Sequence, residues 1–348
     1  MDTSKNYPFV FTGKGSEYFR IWIVNIALTI VTLGIYSAWA KVRTNRWFYG
    51  HTLLDNTSFS YLATPSQILK GRLIAMAILL ALVLGKYMFP LFDVLIILGL
   101  SIASPWIIVM ALRFAARQSA YRGLRFNFTG TIIEAVEIYL FLPILSSITL
   151  GLAFPYMMYR QVNFLASNYA YGGTQTRYEI GSKPFFVLYF KAFLLYLIPL
   201  VCFFVFMDGI RESSLSQTPE EFANNAKLGL LIWGGILPFY LSIPLITAFI
   251  KARTVNLFYN HMSLGDVHFS STQRARDLAW IYFVHLVLIA LTFGLFIPFA
   301  KVRLARYKAE HLSVIADDLS AFTAQAIDKT SATGGEISEI FDMDIGIG

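Results

Sequence analysis

One cysteine, Cys202, stands in an apolar run of a 348-residue chain, which excludes a disulfide framework, a zinc-thiolate cluster and an iron-sulfur site within one molecule. Charge is scarce as well. Asp, Glu, Lys and Arg together make 14% of the residues, well under the roughly 25% of a soluble domain. The first twenty residues scatter Asp2, Lys5, Lys14, Glu17 and Arg20 among aromatics and lack the compact apolar core of a signal peptide, so an internal segment is expected to insert. Catalytic patterns are missing too. Thr12-Gly13-Lys14-Gly15 lacks the spacing of a P-loop, and no Ser/His/Asp or Cys/His set has a local context. The residues give no enzyme activity and call for no cofactor.

What is present is apolar. With 56% hydrophobic residues the chain reads as a polytopic membrane protein, with apolar blocks near 18–40, 70–89, 91–112, 132–159, 184–207, 227–250 and 277–300. The second and third blocks, joined by Lys86 to Asp93, form one helical hairpin. The fifth and sixth form another, joined by 207–227, a segment of net charge −2. The other three blocks each carry a breaking pattern at the centre: Thr32-Leu33-Gly34, Thr149-Leu150-Gly151 with Pro155, and Thr292-Phe293-Gly294 with Pro298. If these blocks turn back at Gly34, Gly151 and Gly294, 24 of the 27 basic residues in 1–312 fall on one side, all but Lys86, Arg211 and Lys227. That obeys the positive-inside rule, which seven simple crossings would invert for half the molecule. Against re-entry stands the cost of unpaired backbone amides in lipid, unless the bends are buried among other helices. Both crossing and re-entry are retained.

Self-similarity is the strongest signal. Thr32 through Arg43 recurs at an offset of 260 as Thr292 through Arg303, and at an offset of 117 as Thr149 through Arg160. The chain divides into five units, 7–52, 57–122, 125–170, 176–262 and 266–312, within a membrane domain of 1–312. Each opens on a short aromatic, strand-like stretch such as Phe9-Val10-Phe11 or Phe126-Asn127-Phe128. The expected fold is an all-α polytopic membrane protein of internally repeated helical hairpins, three of them Gly-centred and re-entrant or short, with aromatic strand-like segments on the cytosolic side. Residues 313–348 hold seven acids against Lys329 and read as a mobile acidic cytosolic tail.

Glu17, Glu134 and Asp277 each lie 17 residues before a bend glycine, and Arg43, Arg160 and Arg303 nine after it. A fold-back would bring acid and arginine together near the interface. Helix-dipole complementation and snorkelling explain the same positions. Asn25 and His285, aligned at the offset of 260, are polar groups inside apolar blocks, suited to bonding backbone freed by a bend. His51, His261 and His311 align as well, but their separation gives no metal-binding pattern, and helix-end electrostatics account for them. Basic helices with interleaved aromatics, such as Lys41 to Tyr49, point to anionic lipid headgroups as partners and not to nucleic acid; homo-oligomerisation is left open.

Phe11-Thr12-Gly13-Lys14-Gly15-Ser16-Glu17-Tyr18-Phe19, Thr32 through Arg43, Leu69-Lys70-Gly71-Arg72 and Tyr121-Arg122-Gly123-Leu124-Arg125-Phe126 closely resemble the YjgN family of bacterial inner-membrane proteins, over essentially the whole chain. The resemblance implies a multi-pass protein of a Gram-negative inner membrane. It implies no reaction, the family being a domain of unknown function. Two functions fit the residues: a facilitative transporter or channel for a small solute, suggested by repeats and broken apolar blocks, or a non-transporting scaffold or lipid-interacting protein. The termini are expected in the cytoplasm.

Overall fold

The computed structural model describes residues 4–85, 91–215 and 226–332. Lys86, the middle of the 207–227 link and Phe341 of the tail lie outside the described residues. The chain forms two compact units, one of Met1–Ile180, Phe258–Ser271 and Ile297–Gly348, the other of Gly181–Leu257 and Thr272–Phe296.

The first unit corrects the all-α expectation, because it is built on a closed antiparallel β-barrel. Its strands are β1 (Lys5–Phe11), β2 (Thr52–Leu54), β3 (Thr57–Tyr61), β4 (Ser119–Tyr121), β5 (Leu124–Phe128), β6 (Tyr169–Tyr171), β7 (Thr174–Tyr178), β8 (Met262–Leu264), β9 (Val267–Ser271) and β10 (Leu312–Ala316). Each pairs with its successor, and β10 pairs with β1 to close the ring. The aromatic stretches are the longer strands. Their partners β2, β4, β6 and β8 have three residues each, too few for alternation to register. Two-residue turns link them: Asp55 and Asn56, Arg122 and Gly123, and Gly172 and Gly173 all have positive φ, as a hairpin turn that follows the strand twist requires.

Along β3, β5 and β7 the even-offset positions Ser58, Ser60, Arg125, Asn127, Gln175 and Arg177 are exposed while their neighbours are covered. Polar residues outside and aromatic residues inside mark a barrel bathed in water, the inverse of a lipid-facing barrel. The interior is filled by a cluster that includes Tyr121, Tyr171, Val267 and Val314 with Phe9, Phe59 and Phe126 packed on it. Its hydroxyls are satisfied by backbone: Tyr121 donates to the Leu54 carbonyl and Tyr171 to the Tyr121 carbonyl, both at 2.9 Å.

The helices are α1 (Gly15–Val31), α2 (Ser37–Gly50), α3 (Pro65–Gly85), α4 (Phe92–Arg117), α5 (Ile132–Val136), α6 (Leu142–Ile148), α7 (Phe154–Ser167), α8 (Lys183–Leu215), α9 (Ala226–Asn260), α10 (Ala275–Leu291), α11 (Ile297–Glu310) and α12 (Leu319–Ala332). Strand register shows where the chain departs and returns: Phe11 faces Thr52, Tyr61 faces Ser119, Phe128 faces Tyr169, Tyr178 faces Met262 and Ser271 faces Leu312. All five helical excursions thus start and end at one rim of the barrel. Among the described residues, four stretches are long and apolar enough to cross a membrane, Pro65–Gly85, Val94–Arg117, Lys183–Gly209 and Phe239–Asn260. In the second unit α8 and α9 pack through Phe203 and Phe239, whose rings lie 5.0 Å apart.

The acidic segment does not begin as a free tail. Its first residues complete β10, and α12 follows, with Asp318 accepting from the Ser320 and Ala321 amides at its N-terminus. These bonds, the Ser320 hydroxyl foremost, hold the Asp318 carboxyl below its usual pKa. α12 covers the barrel mouth at the hairpin-turn end. Phe322 stacks on Tyr171, Arg122 donates to Thr323 Oγ1 at 3.1 Å, and Gly172 approaches Ala326 so closely that a Cβ there would lie 2.4 Å from the alanine methyl.

Candidate functional site

The three breaking patterns form one turn, three times over. Leu33, Leu150 and Phe293 all have φ 50°, and Gly34, Gly151 and Gly294 have φ 93°, 88° and 91°. Each glycine amide donates 2.8 Å to the carbonyl five residues back, Thr29, Ser146 and Ile289 respectively, which is the bonding of a Schellman helix end. The threonine completes it. Thr32, Thr149 and Thr292 donate to the carbonyls of Leu28, Leu145 and Leu288 and accept from the amides of Tyr36, Ala153 and Phe296. Leu33, Leu150 and Phe293 at the apices are 92%, 94% and 97% exposed. The threonine hydroxyl thus satisfies part of the backbone that the bend frees, which lowers the cost of an apolar bend.

Within α1, Tyr18, Trp22, Asn25 and Thr29 follow helical spacing along one face. Tyr18 anchors that face between the Trp47 and Phe48 rings of α2, at 5.0 and 4.8 Å. Gly15 admits α11, since a Cβ there would lie 2.6 Å from the Phe299 ring. The result is a cleft of about 440 Å³ lined by that α1 face, by Lys41, Thr44 and Asn45 of α2, and by Lys301 of α11. Asn25 is 5% exposed. Its Nδ2 donates to the Ala40 carbonyl at 3.5 Å, while its Oδ1 has no hydrogen-bond partner among the described residues.

Among the described residues, none of the expected pairs of Glu17 with Arg43, Glu134 with Arg160 and Asp277 with Arg303 forms. Arg160 makes a two-pronged bond to a carboxylate, but to Glu137 (2.9 and 3.1 Å), with Tyr156 at 3.3 Å. Glu137 opens a π-helical turn, Glu137–Phe141, which takes up Pro143 at the start of α6. Glu134 instead sits in a capping box, its amide donating to Thr131 Oγ1. Glu17 lies 4.0 Å from His51 Nε2, and Asp277 lies 3.6 Å from Arg276. Arg43 and Arg303 are exposed on α2 and α11 and form no ion pair among the described residues. His285 is buried on α10, its ring 6.1 Å from Phe296. His51 and His311 place Nδ1 2.7 and 2.9 Å from the carbonyls of Trp47 and Tyr307, at the ends of their helices.

Other arginines of the cationic helices hold the fold. Arg46, Arg113 and Arg306 donate to the carbonyls of Ala63, Gly130 and Gly13 at 3.2, 2.9 and 3.0 Å. Each accepting residue lies two positions past a long strand, and in the second unit Asn256 makes the same bond to Gln273 at 2.8 Å. The offset of 260 that aligns Arg43 with Arg303 also aligns Arg46 with Arg306 and could have revealed the clasp.

A water-facing barrel bearing apolar excursions on one rim defines a membrane-attached protein of mixed α and β structure. Residues 6–340 match the family described as bacterial protein of unknown function, DUF898, and the chain belongs to that family. Inner membrane protein YjgN of Salmonella typhimurium is 27% identical over 90% of this chain and 89% of its own length, and its counterparts in Escherichia coli O157:H7 and K12 are 23% identical over the same shares. No solved structure matches.

Proposed function

We propose that this is an inner-membrane protein of five repeated units that binds anionic amphiphiles in the cytosolic leaflet and acts without catalysis. The barrel and both ends of the chain lie in the cytoplasm, α3/α4 and α8/α9 cross the bilayer, and the three glycine turns dip into it. The depth of the dip follows from the return helix. Lys41 comes seven residues after Gly34, about 10 Å along a helix of 1.5 Å rise, against a hydrocarbon core of about 30 Å. Such a turn reaches toward mid-bilayer with its cations at the headgroups. The charge asymmetry of the sequence and the names of the relatives support this placement.

One contrast carries the lipid reading: the barrel axis is packed with aromatic side chains under α12, whereas the cleft beside Asn25 is open and flanked by lysines. Passage of a small solute is the second reading, favoured by the buried Asn25 and His285 on the outgoing helices. In proteoliposomes, the lipid reading expects retention of anionic lipid on purification and no added leak of neutral, anionic or cationic solutes. A selective leak would establish the second reading instead. For placement, a Cys202→Ser background carrying Arg177→Cys should label only from the cytoplasm and one carrying Asp208→Cys only from the periplasm; labelling of both from one side overturns it.

A further inference from the structure

The geometry points to a binding site at the Asn25 cleft for a phosphate group that carries a hydroxyl, of the glycerol phosphate kind. Three features converge on that chemistry. Lys41 and Lys301, from two different helices, border the cleft and supply positive charge for an anion. Asn25 Oδ1 is a buried acceptor without a partner, and an acceptor calls for a donor on the ligand, which a bare phosphodiester lacks. The amide cannot turn to offer its donor instead, because rotation would set Oδ1 against the Ala40 carbonyl that Nδ2 now faces. Trp22, Ile26 and Ile30 form an apolar wall of the same cleft, suited to an aliphatic chain. Half of Asn25 thus staples α1 to α2, and half faces the ligand.

This rests on the lipid reading only in where the ligand comes from: a phosphoglycerol lipid in the bilayer or free glycerol phosphate. The full chain is placed in zwitterionic nanodiscs doped with either phosphatidylglycerol or phosphatidylmethanol, which share the phosphodiester and differ in the hydroxyls, and bound lipid is counted by native mass spectrometry. In a second arm, detergent-purified protein is titrated with glycerol 3-phosphate and with methyl phosphate. Retention of phosphatidylglycerol about tenfold above phosphatidylmethanol is expected, the usual worth of one buried polar match. Asn25→Leu removes that preference while leaving anion binding. Lys41→Gln with Lys301→Gln weakens both anions. Discrimination by the free phosphates alone supports the site and overturns the lipid source. Equal binding of both members of each pair by the wild-type protein overturns the site, and so does an undiminished preference in Asn25→Leu; the wild-type comparison stands even if a variant fails to fold.

Discussion

The first and second glycine turns share a backbone and differ in what their helices do with buried polarity. In the second, Arg160 grips Glu137 with two bonds and the π-turn positions the acid. In the first, the corresponding helix face carries Asn25, which lines a cleft with two lysines and whose buried acceptor has no partner among the described residues. Identical turns therefore do not mark identical roles. One hairpin is closed upon itself by an ion pair, and the other keeps an unfilled valence facing a cleft.

The shared part of the comparison should break first. Gly34→Val and Gly151→Val, at φ 93° and 88°, should each cost about 2 kcal/mol, the strain of a side chain forced into a glycine conformation, and by similar amounts in thermal unfolding in detergent. Loss at one alone would show that the turns are not equivalent. In the barrel, Tyr171→Phe should cost about 1 kcal/mol for its lost bond. It should also flatten alkaline unfolding. Burial, and then Tyr121, push Tyr171 from 10.0 up to about 12. The unfolded chain releases that proton first, so stability present below pH 10.0 is lost as pH rises to about 12. Circular dichroism titration of both proteins tests this.

The unshared part comes next. Arg160→Gln leaves Glu137 half-exposed without its fork and should lower stability by about 1 kcal/mol, measured by chemical denaturation. Asn25→Leu should change stability least, within about 0.5 kcal/mol, because the lost 3.5 Å bond is offset by removal of a buried unsatisfied acceptor. A large loss would make Asn25 a structural staple and erase the difference between the two hairpins.

The sequence carried the excursions better than the barrel. Gly34, Gly151 and Gly294 were readable because a Thr-X-Gly pattern breaks an apolar run, and lysine and arginine bias favoured a return at each without excluding a crossing. The barrel was half visible. Phe59 and Phe126 alternate with polar neighbours, but a three-residue strand such as Ser119–Tyr121 has no period of its own, and its place is fixed by pairing with β5 across a tight turn and with β3 far back along the chain. The cleft was legible as Asn25 and not as a pocket, since Lys301 comes to it from 276 positions away. Arg46 was read as facing lipid headgroups because snorkelling and clasping ask for the same residue at the same depth.

Pairing of β1 with β10 ties the two ends of the folded unit together. The ribosome makes Lys5–Phe11 early and Leu312–Ala316 late, so the first strand waits with an unsatisfied edge through the synthesis of every helical excursion. Ring closure is thereby the last step of assembly: a chain cut short before residue 312 is left with an open seam between β1 and β9.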